Sequence, residues 1–175
     1  MGLILKQIFA LIKLLNSETG SNQIATGVAC GFILGMTPSF SLQTLLVFLC
    51  LFIFRIQMGA AFLCAFFFKF VAYLLDPTFD QIGSIVLESE ALKPLFTTLY
   101  NWPIIPLTRF NNTIVMGSAV ITTLLSPLIF MLSRILIFKY RSLIVARLQS
   151  TKFWKAIKAT SFYQWYYKYD QLYGK

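Results

Sequence analysis

Residues 19–54 form an unbroken run of 36 residues without a formal charge, and near its middle stands Thr37-Pro38-Ser39-Phe40-Ser41-Leu42-Gln43, a helix breaker with a polar collar. One crossing of the hydrocarbon core needs about 20 apolar residues, so the run is too long for a single span and too short for two comfortable spans with a loop. A hairpin of two short helices, 22–36 and 42–55, fits better, with both of its ends on one side of the membrane. Broken backbone is tolerated at membrane depth only where protein or water satisfies the freed N–H and C=O groups. The tip is therefore expected to be buried or to line a polar cavity.

The rest of the composition agrees with an all-α integral membrane protein. Of 175 residues, 58% are hydrophobic and 12% charged, against about 25% charged in soluble domains. Such a chain makes one membrane domain, with no room for a separate soluble catalytic domain. Residues 1–18 carry Lys6 and Lys13 inside an apolar stretch and show no small-x-small cleavage site. They read as an interfacial amphipathic helix rather than a removable signal. Cys30, Cys50 and Cys64 all lie in apolar segments, the usual setting of a small buried hydrophobe. Histidine is absent, which removes the commonest general base and metal ligand. No catalytic residue, metal or cofactor is expected.

Charge then orders the segments. Residues 58–75 are a transmembrane span with the single charge Lys69, followed by a segment, 76–109, that holds Asp76, Asp80, Glu88 and Glu90 against Lys93 and Arg109. Pro94, Pro103 and Pro106 divide that segment into short helices or a partly submerged loop. Residues 110–133 are a second uncharged span, and the tail 134–175 has nine Lys/Arg against Asp170. Positive segments stay in the cytoplasm, so the tail and the N-terminus face inward, 76–109 faces outward, and the hairpin opens to the cytoplasm. Two full crossings of the hairpin would leave these ends in place, so re-entry and double crossing both remain open.

Several motifs give this outline possible functions. Gly27, Gly31 and Gly35 recur every four residues, a tandem GxxxG that lets another helix approach closely. Its acceptor is either the small patch Gly59, Ala60, Ala61, Cys64 and Ala65 or a second copy of the chain. Thr37, Ser39, Ser41, Gln43 and Thr44 at the tip either touch a head group or ion, or cap the two broken helix ends around Pro38. Lys69 and Asp76 stand seven residues apart on one helical stripe, and a charge inside a span has a partner, a pathway or a snorkelling route outward. Asn111, Ser118, Thr122 and Ser126 form a polar stripe along the last span. In the tail, Arg147, Lys152, Lys155 and Lys158 accompany an apolar helical arc and a run of aromatics. This pattern marks a helix lying on an anionic leaflet, with membrane lipid and no nucleic acid as its partner.

The stretch GVACGFILGMTPSFSLQ, residues 27–43, resembles the hallmark of a bacterial membrane family catalogued as domain of unknown function 2062: a glycine-rich apolar segment leading into Pro38 and then Gln43. AYLLDP (72–77) and TRFNNT (108–113) resemble a narrower subgroup that shares nearly the whole length. Many members have a glycine shortly before the glutamine and an Arg-x-Asn after it, where this chain has Ser41 and Arg55-Ile56-Gln57. The resemblance implies an inner-membrane protein in the company of envelope and polysaccharide machinery, by analogy alone. The expected function is a small non-enzymatic accessory or transport subunit handling lipid or envelope material, with a larger partner protein or as a homo-oligomer. The alternatives are a self-contained small-solute transporter or channel and, less supported, an intramembrane enzyme.

Overall fold

A computed structural model of the chain describes residues 7, 14–15, 19–54, 56–103 and 105–145. The described residues are all helical or irregular, with five helices: α1 (Ser21–Met36), α2 (Leu42–Ile53), α3 (Met58–Leu87), α4 (Lys93–Tyr100) and α5 (Thr113–Lys139). A 3-10 turn, Ile105–Thr108, precedes α5 and a π-helical stretch, Tyr140–Val145, follows it. Residues 1–135 and 136–175 make two compact units. In the second, Ser142 Oγ donates to the Lys139 carbonyl at 3.2 Å. The amphipathic helices expected at 1–18 and in the tail, with Arg147, Lys152, Lys155 and Lys158, lie outside the described residues.

The break between α1 and α2 has a local cause. A residue before proline is driven out of the helical region, and Thr37 is extended at φ −89°, ψ 150°. Its hydroxyl and its N–H both donate to the Ile33 carbonyl, at 2.8 and 3.0 Å, and close the last turn of α1. The next helix restarts at Ser41, extended at φ −115°, whose Oγ accepts the Thr44 N–H at 3.2 Å. One of the orphan donors of a helix start is thereby satisfied.

Along α1 the glycine repeat lies against α3. Gly27 packs on Gln57 and Ala60, Gly31 on Ala61 and Cys64, and Gly35 on Ala65 and Phe68. Both sets of numbers rise together, so the two helices run parallel, each advancing one turn per contact. With no Cβ in the seam the backbones meet closely, and many small dispersion contacts hold them. Gly59 is not part of the acceptor patch: it faces outward, with only Gln57 Nε2 near, at 3.8 Å. Where the seam ends, Phe32 and Phe68 meet edge to face, with centroids 5.1 Å apart. Met36, Ala72 and Phe79 continue the core from there, and Ile114, Ile121 and Ile129 of α5 cover it.

The helix of the span expected at 58–75 continues to Leu87, with Pro77 inside it. A proline at this position removes one hydrogen bond, to the Tyr73 carbonyl, and costs a kink rather than the helix when the flanking turns are well packed. The helix of the second expected span, 110–133, runs from Thr113 to Lys139. It contains Pro127, whose missing N–H frees the Thr123 carbonyl; Ser126 Oγ donates to that carbonyl at 3.2 Å. Between the spans, Pro94 sits in the first turn of α4, where a proline lacks nothing it needs.

Both α3 and α5 are long and apolar enough to cross a membrane. Their outer faces carry exposed Phe62, Phe70, Leu74, Leu124, Leu128 and Met131, large apolar side chains of the kind that lipid covers. On α2 only Thr44, Val47 and Leu51 are buried, one narrow stripe on an otherwise outward-facing apolar helix.

Candidate functional site

The hairpin tip is satisfied largely by its own side chains. Thr44 Oγ1 donates to the Pro38 carbonyl at 3.0 Å and lies within hydrogen-bond distance of both Thr37 Oγ1 and Ser41 Oγ. Thr37, Ser41 and Thr44 are buried and act as caps, while Ser39 is exposed. Gln43 reaches away from the tip, its Nε2 donating to Thr122 Oγ1 on α5 at 2.8 Å. Thr122 in turn donates to the Ser118 carbonyl at 2.7 Å, and both residues are fully buried. The other Gln43 atom, Oε1, is buried without a hydrogen-bond partner among the described residues. Of the polar stripe expected on α5, Ser118 and Thr122 face the interior, Ser126 covers its own backbone, and Asn111 lies before the helix, exposed.

Beside the tip, α1, α3 and the start of α5 enclose a cleft of about 390 Å³. Its polar lining is Lys69, Asp76, Arg109 and Asn112; its apolar walls are Met36, Pro38, Ala72, Ile114 and Val115, with Tyr73 at one side. Asn112 holds the start of α5 in place, its Oδ1 accepting the Val115 N–H at 3.1 Å. Arg109 sits in the turn before it with a φ of 57°, the one positive φ of a non-glycine residue among those described. Sequence reading singled out Lys69, Asp76 and Pro38 but not Arg109 or Asn112, whose place depends on how the 109–112 turn folds back on α3. Asn111 points elsewhere, into a second cavity of about 370 Å³ lined by Lys93, Phe96, Tyr100 and Phe110.

Lys69 is not paired with Asp76. Its Nζ donates instead to the Thr37 carbonyl at 3.0 Å, at the end of α1. Seven residues along one helix separate the two side chains by roughly 10 Å, whereas the parallel packing brings the α1 terminus level with Lys69. A helix C-terminus carries partial negative charge and unsatisfied carbonyls, so an ammonium group is favourable there. Asp76 has neither an ion pair nor a hydrogen bond among the described residues. We accordingly expect Lys69→Met to cost about 1.5–3 kcal/mol, the worth of a hydrogen bond from a charged donor. Adding Asp76→Asn should be additive to within about 0.5 kcal/mol. Thermal unfolding of the wild type, both single variants and the double variant in one detergent measures this, and a large coupling would restore the direct pair.

Among the described residues the fold is all-α, with two helices long and apolar enough to span a bilayer, a broken helical hairpin packed on the first of them, and a charged cleft beside the hairpin tip. Residues 7–144 match the family model described as "Uncharacterized protein conserved in bacteria (DUF2062)", and the chain belongs to that family. It is also 29% identical over 139 residues to an uncharacterized protein of Treponema pallidum (strain Nichols), covering 79% of this chain and 86% of the relative. No solved structure matches the chain.

Proposed function

We propose that this protein is a non-enzymatic component of the bacterial inner membrane that handles lipid or lipid-borne envelope material, as an accessory or transport subunit beside a larger partner protein or a second copy of itself. One observation carries the reading: Lys69, Asp76 and Arg109 share a cleft with the apolar walls of Met36, Ala72, Ile114 and Val115. Apolar walls with a few convergent polar groups suit an amphiphile.

The proposed orientation follows from lengths and charge. The 30 residues of α3 reach about 45 Å, while the 12 of α2 reach about 18 Å, short of a hydrocarbon core of about 30 Å. With Met58 at the cytoplasmic surface, Lys69 and the hairpin tip lie near the midplane and Asp76 near the outer surface. The hairpin is then re-entrant, the cleft opens outward, and both termini are cytoplasmic, the basic tail resting on the inner leaflet. A phosphatase fused after Glu90 is expected to be active and one fused after Arg147 inactive; the reverse pattern would sink this topology.

Purification from native membranes in mild detergent, followed by lipid and protein mass spectrometry, tests the function. Retained lipid in stoichiometric amount, with or without a copurifying larger protein, is the expected result. A lipid-free homo-oligomer that passes small solutes in liposomes would overturn the proposal in favour of a solute transporter.

A further inference from the structure

We infer that the cleft binds the phosphodiester of a lipid whose head group carries a hydroxyl, Lys69 and Arg109 meeting the phosphate oxygens and Asp76 accepting a hydrogen bond from the hydroxyl. The inference rests on the lipid reading above and specifies the head group. Three side chains of opposite sign line one cavity, yet no ion pair joins them among the described residues. Ionised groups at membrane depth are costly and mark a partner or a pathway.

Charge selects the ligand. Two cations and one carboxylate leave 2 − 1 = +1, which a singly charged phosphodiester brings to zero. A phosphocholine head group is itself neutral, leaves the +1 in place, and has no hydrogen-bond donor for Asp76. A carboxylate left facing a donor-free head group would lose its solvation without replacement.

Geometry supplies the donors. Lys69 uses one ammonium hydrogen on the Thr37 carbonyl, 3.0 Å away, and keeps two. Arg109 has no ion pair among the described residues, so its guanidinium fork is available for the bidentate contact that phosphate favours. Its left-handed backbone, at φ 57°, is a conformation that non-glycine residues seldom adopt and that gathers at ligand clamps. Ile114 and Val115 in the first turn of α5 form the adjoining wall, so the positive end of that helix adds to the same field. Met36 and Ala72 leave an apolar wall for the glycerol or prenyl portion.

The test is native mass spectrometry of the purified full chain with added lipids of matched acyl chains: phosphatidylglycerol, phosphatidylmethanol and phosphatidylcholine. A polyprenyl hexosyl phosphate forms a separate arm. Phosphatidylmethanol has the charge of phosphatidylglycerol without its hydroxyls. Wild-type protein is expected to bind phosphatidylglycerol or the hexosyl phosphate about tenfold more tightly than phosphatidylcholine, and whichever of the two binds tighter identifies the source of the phosphodiester. Lys69→Met and Arg109→Asn should each remove that preference; asparagine tolerates the left-handed backbone, and Lys69→Arg should retain binding. Asp76→Asn should abolish the preference for phosphatidylglycerol over phosphatidylmethanol. Lys93→Gln removes the same unit charge away from the cleft, where Lys93 is paired with Glu90, and should change neither. Equal binding of all head groups, or an equal loss in Lys93→Gln and Lys69→Met, overturns the inference and leaves the lipid reading standing. Retention of no lipid at all overturns both.

Discussion

Gly31→Ala is expected to lower the thermal stability of the protein sharply, whereas the chemically identical change Gly59→Ala leaves it unchanged or slightly raised. A Cβ at Gly31 would overlap the Ala61 carbonyl oxygen and stand 2.8 Å from Cys64 Cβ. The first of these obstacles is backbone, so no rotamer change relieves it and α1 must move away from α3. Overpacking of this kind costs about 1–3 kcal/mol. Gly31→Leu pushes the helices further apart and loses contact along the whole seam, so little folded protein is expected from it. At Gly59 the nearest group is the flexible Gln57 amide at 3.8 Å, and alanine within a helix gains about 0.5–1 kcal/mol over glycine, less in the first turn where Gly59 stands. Unfolding followed by intrinsic fluorescence in one detergent measures both variants. Equal midpoints would mean that the α1–α3 seam does not hold the fold together.

That seam was legible because its signal is both local and periodic. Three glycines four residues apart identify a close-packing face whatever the partner, and the small residues Ala60, Ala61, Cys64 and Ala65 supplied the only comparable surface nearby. The hairpin break was legible for a similar reason, since Pro38 constrains Thr37 through sterics alone. Where the reading failed, it relied on one helix to explain what two helices do. Lys69 and Asp76 share a stripe on α3, but the ammonium finds its acceptor on α1. That contact follows from the parallel register of the seam, not from any spacing along α3.

The ends of the helices were not legible because a charge and a proline were read as the end of an element. The helix runs through Asp76 and Pro77 to Leu87, since one missing hydrogen bond is a modest cost in a well-packed helix. That continuation makes the cleft. Without the turns after Asp76, the 109–112 turn would have no surface to fold against, and Arg109 and Asn112 would stand apart from Lys69.

The largest effect is expected at Gly117, a lone glycine without a repeat to announce it. A Cβ there would fall on the Phe79 carbonyl oxygen and stand 3.0 Å from the Gly83 N atom, and a Cβ on Gly83 would fall on the Thr113 carbonyl. The two glycines thus face each other where α3 and α5 cross antiparallel, with Phe79 fully buried beside them and Thr113 Oγ1 donating to Asp80. All these obstacles are main chain, so Gly117→Ala cannot be absorbed by a side-chain shift and should cost at least about 3 kcal/mol, the upper end for overpacking. Its consequences differ in kind from those at Gly31. The crossing lies next to the cleft, whose walls include Asp76 from α3 and Asn112, Ile114 and Val115 from the 109–112 turn and the start of α5. Separating the helices there spreads the walls that hold Arg109 opposite Lys69. Gly117→Ala is therefore expected to lose retained lipid at temperatures where helical content, read by circular dichroism, is still intact, since each helix keeps its own backbone hydrogen bonds. If lipid retention and helicity disappear together, or neither changes, the crossing does not shape the cleft.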